Sequence, residues 1–224
     1  MEVIQFEDKC LAHFSYALIS DGEMAIIDPE RNPQPYYDLA KNRGVKIVAV
    51  IETHPHADFV SSHAEIHETT GATIYVSRLL GAEYPHQSFD QSNILKIGKA
   101  SLHGMNTPGH SPDSICILAK NESGDAEVVF TGDTLFIGDC GRPDLRETAG
   151  NITSARKDLA KDMYYSLRNN LIDLPDSIIV YPAHGAGSLC GKGLSSNSSS
   201  TIAIEKASNW SLKEMSEEEF VNEL

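Results

Sequence analysis

The chain has 224 residues, and its 41% hydrophobic and 22% charged content is that of an ordinary folded globular protein. Acidic residues outnumber basic ones by 32 to 18, and the formal net charge of −14 argues against a nucleic-acid surface or an anionic membrane as partner. No apolar stretch approaches the roughly 18–20 residues that span a bilayer, and the N-terminus lacks the basic and apolar regions of a signal peptide. The four cysteines are widely spaced and form no CxxC pair, so we expect a cytoplasmic protein with reduced thiols.

The first third of the chain predicts strands and helices in alternation. Apolar runs at residues 25–29 and 45–52 predict two strands, and a helical pattern at residues 34–42 lies between them. A second helix is predicted over residues 60–70, followed by a strand over residues 72–76. These segments give a β-α-β order.

The rest of the chain continues this pattern more loosely. Further strands are predicted at residues 94–97, 100–105, 114–118, 127–130 and 178–181. Helices are predicted over residues 155–169 and 201–210, and Ser216 with the acidic residues after it predicts the N-cap of a last helix. The Gly- and Ser-rich segment at residues 191–201 is either a flexible linker or a loop that lines the mouth of a site.

Four predicted strands end in short turns that contain His or Asp side chains. These residues are His54, His56, Asp58, His110, Asp133 and His184. Because ligand-binding groups converge at strand ends in layered α/β proteins, we expect these side chains to share one site. Neutral imidazole nitrogens and carboxylate oxygens are the donors that divalent ions such as Zn2+ and Fe(II) prefer, so the pattern predicts a metal centre.

Four motifs around these residues, ETHPHADF, TPGHSPDS, FTGDTLFIGDCGRPDL and YPAHGAGS, resemble those of the metallo-β-lactamase superfamily. The resemblance runs in the right order from about residue 28 to residue 191. It implies an α/β fold, the αβ/βα sandwich, with two mixed sheets back to back, helices on both outer faces and metal along one edge. We expect residues 1–224 to form a single domain of this kind.

One position departs from the pattern of the hydrolytic members. Those enzymes typically have HxHxDH, in which the last histidine helps to hold a second metal, whereas this chain has Phe59 there. An apolar ring cannot ligate a metal, so the departure favours one metal over two. His63 lies four residues further on, and it replaces the missing donor only if a helix begins near Asp58.

The segments HADF and GDCGRPDL resemble the persulfide dioxygenases most closely, in particular a bacterial group fused to C-terminal rhodanese domains. That resemblance implies one Fe(II) per chain, with Zn as a substitute, held by His54, His110 and Asp133. It leaves His56, Asp58 and His184 as supporting groups or alternative ligands. The implied reaction oxidises a low-molecular-weight thiol persulfide with O2 to sulfite and thiol, in sulfide detoxification.

The resemblance also places the loop with Cys140 and Arg142 near the iron, and we expect Arg142, Cys140 and Asp58 to take part in catalysis. Two alternatives stay open: Arg142 pairs with a local carboxylate, and Cys140 is a buried packing residue. The remaining cysteines are expected to be packing residues, and the remaining histidines structural or surface groups. They are Cys10, Cys116, Cys190, His13, His67, His86 and His103.

Three functional hypotheses follow from these residues. The first is the persulfide dioxygenase, with a thiol persulfide and O2 as small-molecule partners, a rhodanese domain or protein as a further partner, and a homo-oligomeric state. The second is a glyoxalase-II-type thioester hydrolase with a di-metal site. The third is a non-enzymatic, metal-bound domain that docks a sulfurtransferase.

Overall fold

The computed structural model describes residues 1–144 and 156–224 of the chain. Its first six strands form one mixed sheet in chain order. They are β1 (Glu2–Asp8), β2 (His13–Ser20), β3 (Glu23–Ile27), β4 (Lys46–Ile51), β5 (Thr73–Val76) and β6 (Gln87–Ser88). Strands β1 to β3 pair antiparallel, and β3 to β6 pair parallel. Helices α1 (Gln34–Arg43) and α2 (His63–Thr70) make the crossovers that the parallel strands β3, β4 and β5 require.

The remaining strands form a second mixed sheet, in the order β12-β11-β10-β9-β8-β7. They are β7 (Ile94–Ile97), β8 (Ala100–Asn106), β9 (Ile115–Lys120), β10 (Ala126–Gly132), β11 (Ile179–Pro182) and β12 (Ser200–Thr201). Only β10 and β11 pair parallel. The helices of this half are α3 (Arg156–Ser166), α4 (Ile202–Ser208) and α5 (Glu217–Glu223). Among the described residues, no helix is long and apolar enough to cross a bilayer.

Strands β2, β3 and β4 of the first sheet are buried on both faces, to which successive residues of a strand point in turn. Ile27 of β3 packs between the sheets, in one cluster with Phe130 of β10. Its neighbour Ile26 packs on the outer face, in a cluster with Tyr36 of α1 and Ile66 of α2. Two-sided burial explains why the strands of this sheet contain continuous apolar runs.

The outer face of the second sheet is covered by the C-terminal helices. Val129 of β10 packs there with Met163 of α3, Ile202 of α4 and Phe220 of α5. Helices therefore lie outside both sheets, and the predicted αβ/βα sandwich is confirmed.

The strands predicted from the sequence all form, with ends that differ by at most two residues. The hairpin of β1 and β2 was not predicted. Strand β2 contains the buried polar residues His13 and Ser15, and the Ser15 hydroxyl lies 2.6 Å from the Tyr36 hydroxyl. These polar residues interrupt the apolar pattern at the start of a strand that lies in the core.

The helices differ more from their predicted bounds. The helix predicted over 60–70 begins only at His63, and residue 155 of the helix predicted over 155–169 lies outside the described residues. The helix predicted over 201–210 ends at Ser208, because the Asn209 side chain accepts from Ser211 N at 3.0 Å and starts a separate 3-10 turn. The Ser216 N-cap is confirmed as a capping box.

The Asp139 carboxylate fastens the loop after β10 to two other segments. Its oxygens accept from Lys192 N and Gly193 N, both at 2.8 Å, and from Trp210 Nε1 at 2.7 Å. The buried Asn209 amide holds the same loop by donating to the carbonyl oxygens of Phe136 at 3.1 Å and Asp139 at 3.0 Å. The C-terminal segment therefore buttresses the loop that follows Asp133.

We expect Asn209→Ala to lower the free energy of unfolding by about 2 kcal/mol, because the Phe136 carbonyl oxygen loses its donor and the Asp139 carbonyl oxygen keeps only that of Phe136 N. Urea denaturation followed by circular dichroism measures this change. Asn197→Ala, at an exposed position, is the control and should be neutral. A loss below about 0.5 kcal/mol for Asn209→Ala, the size of an ordinary surface change, would contradict this account.

Candidate metal centre

The donors predicted from the sequence meet at one edge of the sandwich. His54 lies just after β4, Asp133 just after β10 and His184 just after β11, while His110 lies between β8 and β9. One ligand atom each of His54, His110 and Asp133 lies within 4.8 Å of the others, and all three residues are buried. His54 Nε2 is 3.7 Å and His110 Nε2 is 3.5 Å from Asp133 Oδ2.

Two glycines let the backbone close around this group. Gly132 has φ +53°, and a Cβ atom there would lie 2.6 Å from Thr53 Oγ1. A Cβ atom at Gly141 would collide with the carbonyl oxygen of Asp133 and lie 3.1 Å from His110 Cβ. A larger residue at either position would push apart the segments that hold the donors.

The hydrogen bonds of the two histidines determine which nitrogen is protonated. His110 Nδ1 donates to the carbonyl oxygen of Arg142 at 2.9 Å, so its Nε2 has the free lone pair. Thr53 Oγ1 donates its only proton to Asp28 Oδ2 at 2.8 Å and therefore accepts from His54 Nδ1 at 3.0 Å. His54 Nε2 is consequently unprotonated as well.

Three lone pairs thus face one another in a buried space. Asp133 Oδ2 is buried and has no hydrogen-bond partner. Burial and the neighbouring His56 hold the pKa of His54 well below its usual value, and burial lowers the pKa of His110. Burial would raise the pKa of Asp133, but His184 and His54 hold it below its usual range. Neutral imidazoles and an ionised carboxylate are the states that bind a metal, so the residues fit a divalent ion.

His184 lies between two carboxylates. Its Nδ1 is 2.7 Å from Asp133 Oδ1, and its Nε2 is 3.1 Å from Asp58 Oδ2. Burial lowers the pKa of His184, but the two carboxylates outweigh it and raise this pKa to about 10. In the metal-free protein a protonated His184 therefore binds Asp133 Oδ1 and leaves Asp133 Oδ2 facing His54 and His110.

A second set of donors adjoins the first. One ligand atom each of His56, Asp58 and His184 lies within 4.8 Å of the others, as does one each of Asp133, His184 and Cys190. The sequence analysis treated Cys190 as a packing residue. It is buried as expected, but its thiol also lies beside the centre, and only the fold brings it there.

Phe59 and His13 form the apolar side of this set. The Phe59 ring centroid is 4.6 Å from that of His56 and 4.4 Å from that of His13. Burial, with His56 and His184 nearby, lowers the pKa of His13 to about 2, so His13 is a neutral structural residue. No sequence signal placed it here, since it lies at the start of β2, far along the chain from the motifs.

His63 does not replace the donor missing at Phe59. Helix α2 begins at His63 rather than near Asp58. The His63 Nδ1 atom lies 3.0 Å from Glu52 Oε1, and its ring packs 4.9 Å from that of Tyr84. His63 therefore belongs to a neighbouring cluster.

Arg142 contacts the candidate centre through its backbone carbonyl, and the Cys140 side chain is buried away from the donors. The Arg142 guanidinium makes two hydrogen bonds of 2.6 Å to Asp144, while its carbonyl oxygen orients His110. Cys140 is 1% exposed and packs in the cluster that includes Leu135, and burial strongly raises the pKa of its thiol. Both residues are thus arranged as in the alternatives given above: Arg142 pairs with a local carboxylate, and Cys140 is a buried packing residue.

A pocket of about 400 Å3 opens over the centre. Its lining includes His54, Asp58, His110, Leu189 and Cys190. Among the carboxylates of these donor sets, Asp58 lines this pocket, and 33% of its side chain is exposed. The exposed Cys10 also lines the mouth, so the prediction that Cys10 is a packing residue was wrong.

An αβ/βα sandwich with clustered histidines and carboxylates at one edge defines a candidate metal-binding protein. The sequence profile of the Metallo-beta-lactamase superfamily matches residues 8–184, and the chain belongs to this superfamily.

Two solved structures are similar along nearly the whole chain. A metallo-beta-lactamase from Staphylococcus aureus subsp. aureus COL is 37% identical with a TM-score of 0.93, and the match covers 100% of this chain and 67% of that one. ETHE1 from Myxococcus xanthus is 28% identical with a TM-score of 0.82, covering 99% of this chain and 89% of that one.

Curated relatives include both oxygenases and hydrolases. The human mitochondrial persulfide dioxygenase ETHE1 is 29% identical over 164 residues, which are 72% of this chain and 59% of the relative. A probable hydroxyacylglutathione hydrolase of Schizosaccharomyces pombe is 30% identical over 179 residues, which are 77% of this chain and 63% of the relative. The chain thus spans about three fifths of the length of these relatives, and identity does not separate the two activities.

We expect Thr53→Val to weaken metal binding about 10- to 100-fold, because the hydroxyl that orients His54 is lost while the side-chain volume is kept. Competition with a chromophoric chelator measures the affinity. Thr53→Ser retains the hydroxyl and should bind nearly as tightly as the wild type. Equal affinity of Thr53→Val and the wild type would refute the orienting role of Thr53.

We expect Asp133→Ala to bind one equivalent of metal fewer per chain than the wild type, because the anionic donor of the first group is removed. Metal analysis after anaerobic Fe(II) reconstitution measures the content. Asp125→Ala, in an exposed hairpin, should retain the wild-type content. Undiminished metal in Asp133→Ala would show that the ion binds elsewhere.

Proposed function

We propose that the protein is a persulfide dioxygenase, which oxidises a low-molecular-weight thiol persulfide with O2. One persulfide, one O2 and one water give thiol, sulfite and two protons. The observation that supports this proposal is the donor set: two histidines and one carboxylate face a common point, and Phe59 stands where a two-metal hydrolase has a further donor. The persulfide dioxygenase relatives support it independently.

In this proposal His54, His110 and Asp133 hold Fe(II), with Zn2+ as a redox-inactive substitute. Two histidines and one carboxylate leave coordination positions open for substrate and O2. Bound iron supplies the one-electron chemistry that O2 needs to react with a closed-shell sulfur anion. The protein keeps both imidazoles neutral and oriented through Thr53 and the Arg142 carbonyl.

The pocket residues bind and orient the substrate. The persulfide enters the pocket lined by Leu189 and Cys190 with its terminal sulfur toward His54 and His110. Asp58 is assigned to hold the water that releases sulfite, because its carboxylate is exposed to this pocket and anchored by His184 at 3.1 Å. Arg142 acts as a positioning residue, and Cys140 has no substrate contact in this scheme. A rhodanese partner that delivers persulfide and a cytoplasmic location belong to the same proposal.

A thioester hydrolase with two metals is the second candidate. The donors His56, Asp58 and His184 lie within 4.8 Å of one another, and hydroxyacylglutathione hydrolases are among the relatives. This second set lacks the further donor that two-metal hydrolases have at the position of Phe59. The oxygenase is therefore preferred.

We expect anaerobically Fe(II)-reconstituted protein to consume O2 when glutathione persulfide is added, with one sulfite formed per O2. An oxygen electrode and sulfite analysis measure both. The Zn-loaded protein is the control and should consume none, because Zn2+ has no redox chemistry. The proposal fails if the iron-loaded protein consumes no O2 with glutathione persulfide, coenzyme A persulfide or hydrogen persulfide.

We expect Phe59→His to bind one more equivalent of metal than the wild type and to gain thioester hydrolysis, because the second set then regains its donor. Hydrolysis of S-lactoylglutathione by the Zn-loaded variants measures the gain, and Phe59→Leu is the apolar control. Rapid hydrolysis by the wild-type protein, equal to that of Phe59→His, would favour the hydrolase instead.

A further inference from the structure

Beside the candidate centre, three buried side chains from the ends of β3 and β4 face one another. Asp28 and Glu52 are 1% and 5% exposed, and the His56 side chain is 2% exposed. His56 Nε2 lies 3.3 Å from Asp28 Oδ1 and 3.7 Å from Glu52 Oε2. One ligand atom from each of the three residues lies within 4.8 Å of the others.

Two of the atoms that face this point, Glu52 Oε2 and His56 Nε2, are buried and lack an aligned hydrogen bond. His56 Nδ1 is also buried without one. The other oxygen of Glu52 is held by Ser61 Oγ and by His63 Nδ1 at 3.0 Å, so the direction of Oε2 is determined. Asp28 Oδ1 accepts from Thr53 N at 2.7 Å and retains a second lone pair.

Two carboxylates face a single imidazole at this point. Within the described residues, Asp28 and Glu52 make ion pairs with histidines alone, His56 and His63. Burying two neighbouring carboxylates is costly unless cations or hydrogen bonds compensate. One divalent ion would neutralise both carboxylates and provide a partner for Glu52 Oε2 and His56 Nε2 together.

The cluster is accessible from solvent by its own route. A cavity of about 380 Å3 is lined by Glu52 and His56 together with Phe59, Leu80 and Tyr84. This cavity is not the pocket over the first centre, although His54 lines both. An ion would therefore enter the cluster from this cavity, on the side of Glu52 and His56.

We propose that Asp28, Glu52 and His56 form a second cation site, distinct from the His54–His110–Asp133 group, which binds a divalent transition ion. Two carboxylate oxygens and one imidazole nitrogen suit Mn2+, Fe2+ and Zn2+. Because Asp28 also holds Thr53, which orients His54, an ion at this site stabilises the chain of contacts that prepares the first centre. The site does not depend on which reaction the enzyme catalyses.

Titration of the metal-free protein with Zn2+, against a chromophoric chelator and by native mass spectrometry, tests the site. The wild type should bind two equivalents, and Glu52→Gln, which removes one anionic donor without changing volume, should bind one. Asp133→Ala should also bind one, and the double variant none. Glu122→Gln, whose side chain is 70% exposed on the surface, is the matched control and should bind two.

Three results would overturn the site. The first is that the wild type binds a single equivalent, which would leave a protonated His56 as the partner of both carboxylates. The second is that Glu52→Gln retains two equivalents. The third is that Asp58→Asn, and not Glu52→Gln, loses the second equivalent, which would place that ion at the His56–Asp58–His184 group instead.

A folding control keeps the test decisive. Circular dichroism spectra and thermal melts of each variant show whether it is native. If Glu52→Gln does not fold, Glu52→Asp keeps the charge but shortens the reach, and its second equivalent should bind about tenfold more weakly, the scale of a displaced donor. The equivalent of Zn2+ that Asp133→Ala retains then reports the second site directly. If Asp133→Ala binds no Zn2+, the proposal is also refuted.

Discussion

Two imidazole nitrogens and one carboxylate oxygen face one another in a buried space with no proton among them, and this arrangement demands a cation. The surrounding hydrogen bonds orient these three donor atoms. Thr53 and the Arg142 carbonyl take up the Nδ1 protons of His54 and His110, and His184 binds the opposite oxygen of Asp133. Buried polar networks of this kind hold one geometry because each alternative leaves a buried group without a partner.

The sandwich supplies the rigidity that this network needs. Each donor follows a strand that is held in the core between the two sheets. The close backbone approaches at Gly132 and Gly141 bring loops of both sheets together. The Asp139 carboxylate ties the loop after Asp133 to the 192–193 segment and to Trp210. The C-terminal helices thus contribute to the metal centre although none of their side chains is a candidate ligand.

In the proposed function, Phe59 distinguishes between the two activities found among the relatives of this chain. With Phe59 in contact with His56, the second donor set is incomplete, while the first set of two histidines and one carboxylate is intact. Oxygenases and hydrolases are equally similar to the chain over most of its length, so overall identity does not decide between them. Because one fold hosts several activities, the proposal rests on the donors at this edge and not on overall identity.

The sequence by itself predicted most strands from local apolar runs and one shared site from the His and Asp turns that follow them. The sandwich class and the ligand set were implied by the resemblance of its motifs to the metallo-β-lactamase superfamily. It could not determine β2, where polar His13 and Ser15 are buried by partners far along the chain. It also left His63 undecided, assigned Cys190 to packing alone, and did not predict the cluster of Asp28, Glu52 and His56. Only the tertiary structure decided these, because the protonated nitrogen of an imidazole and the partner of a buried carboxylate depend on which chain segments are packed against them.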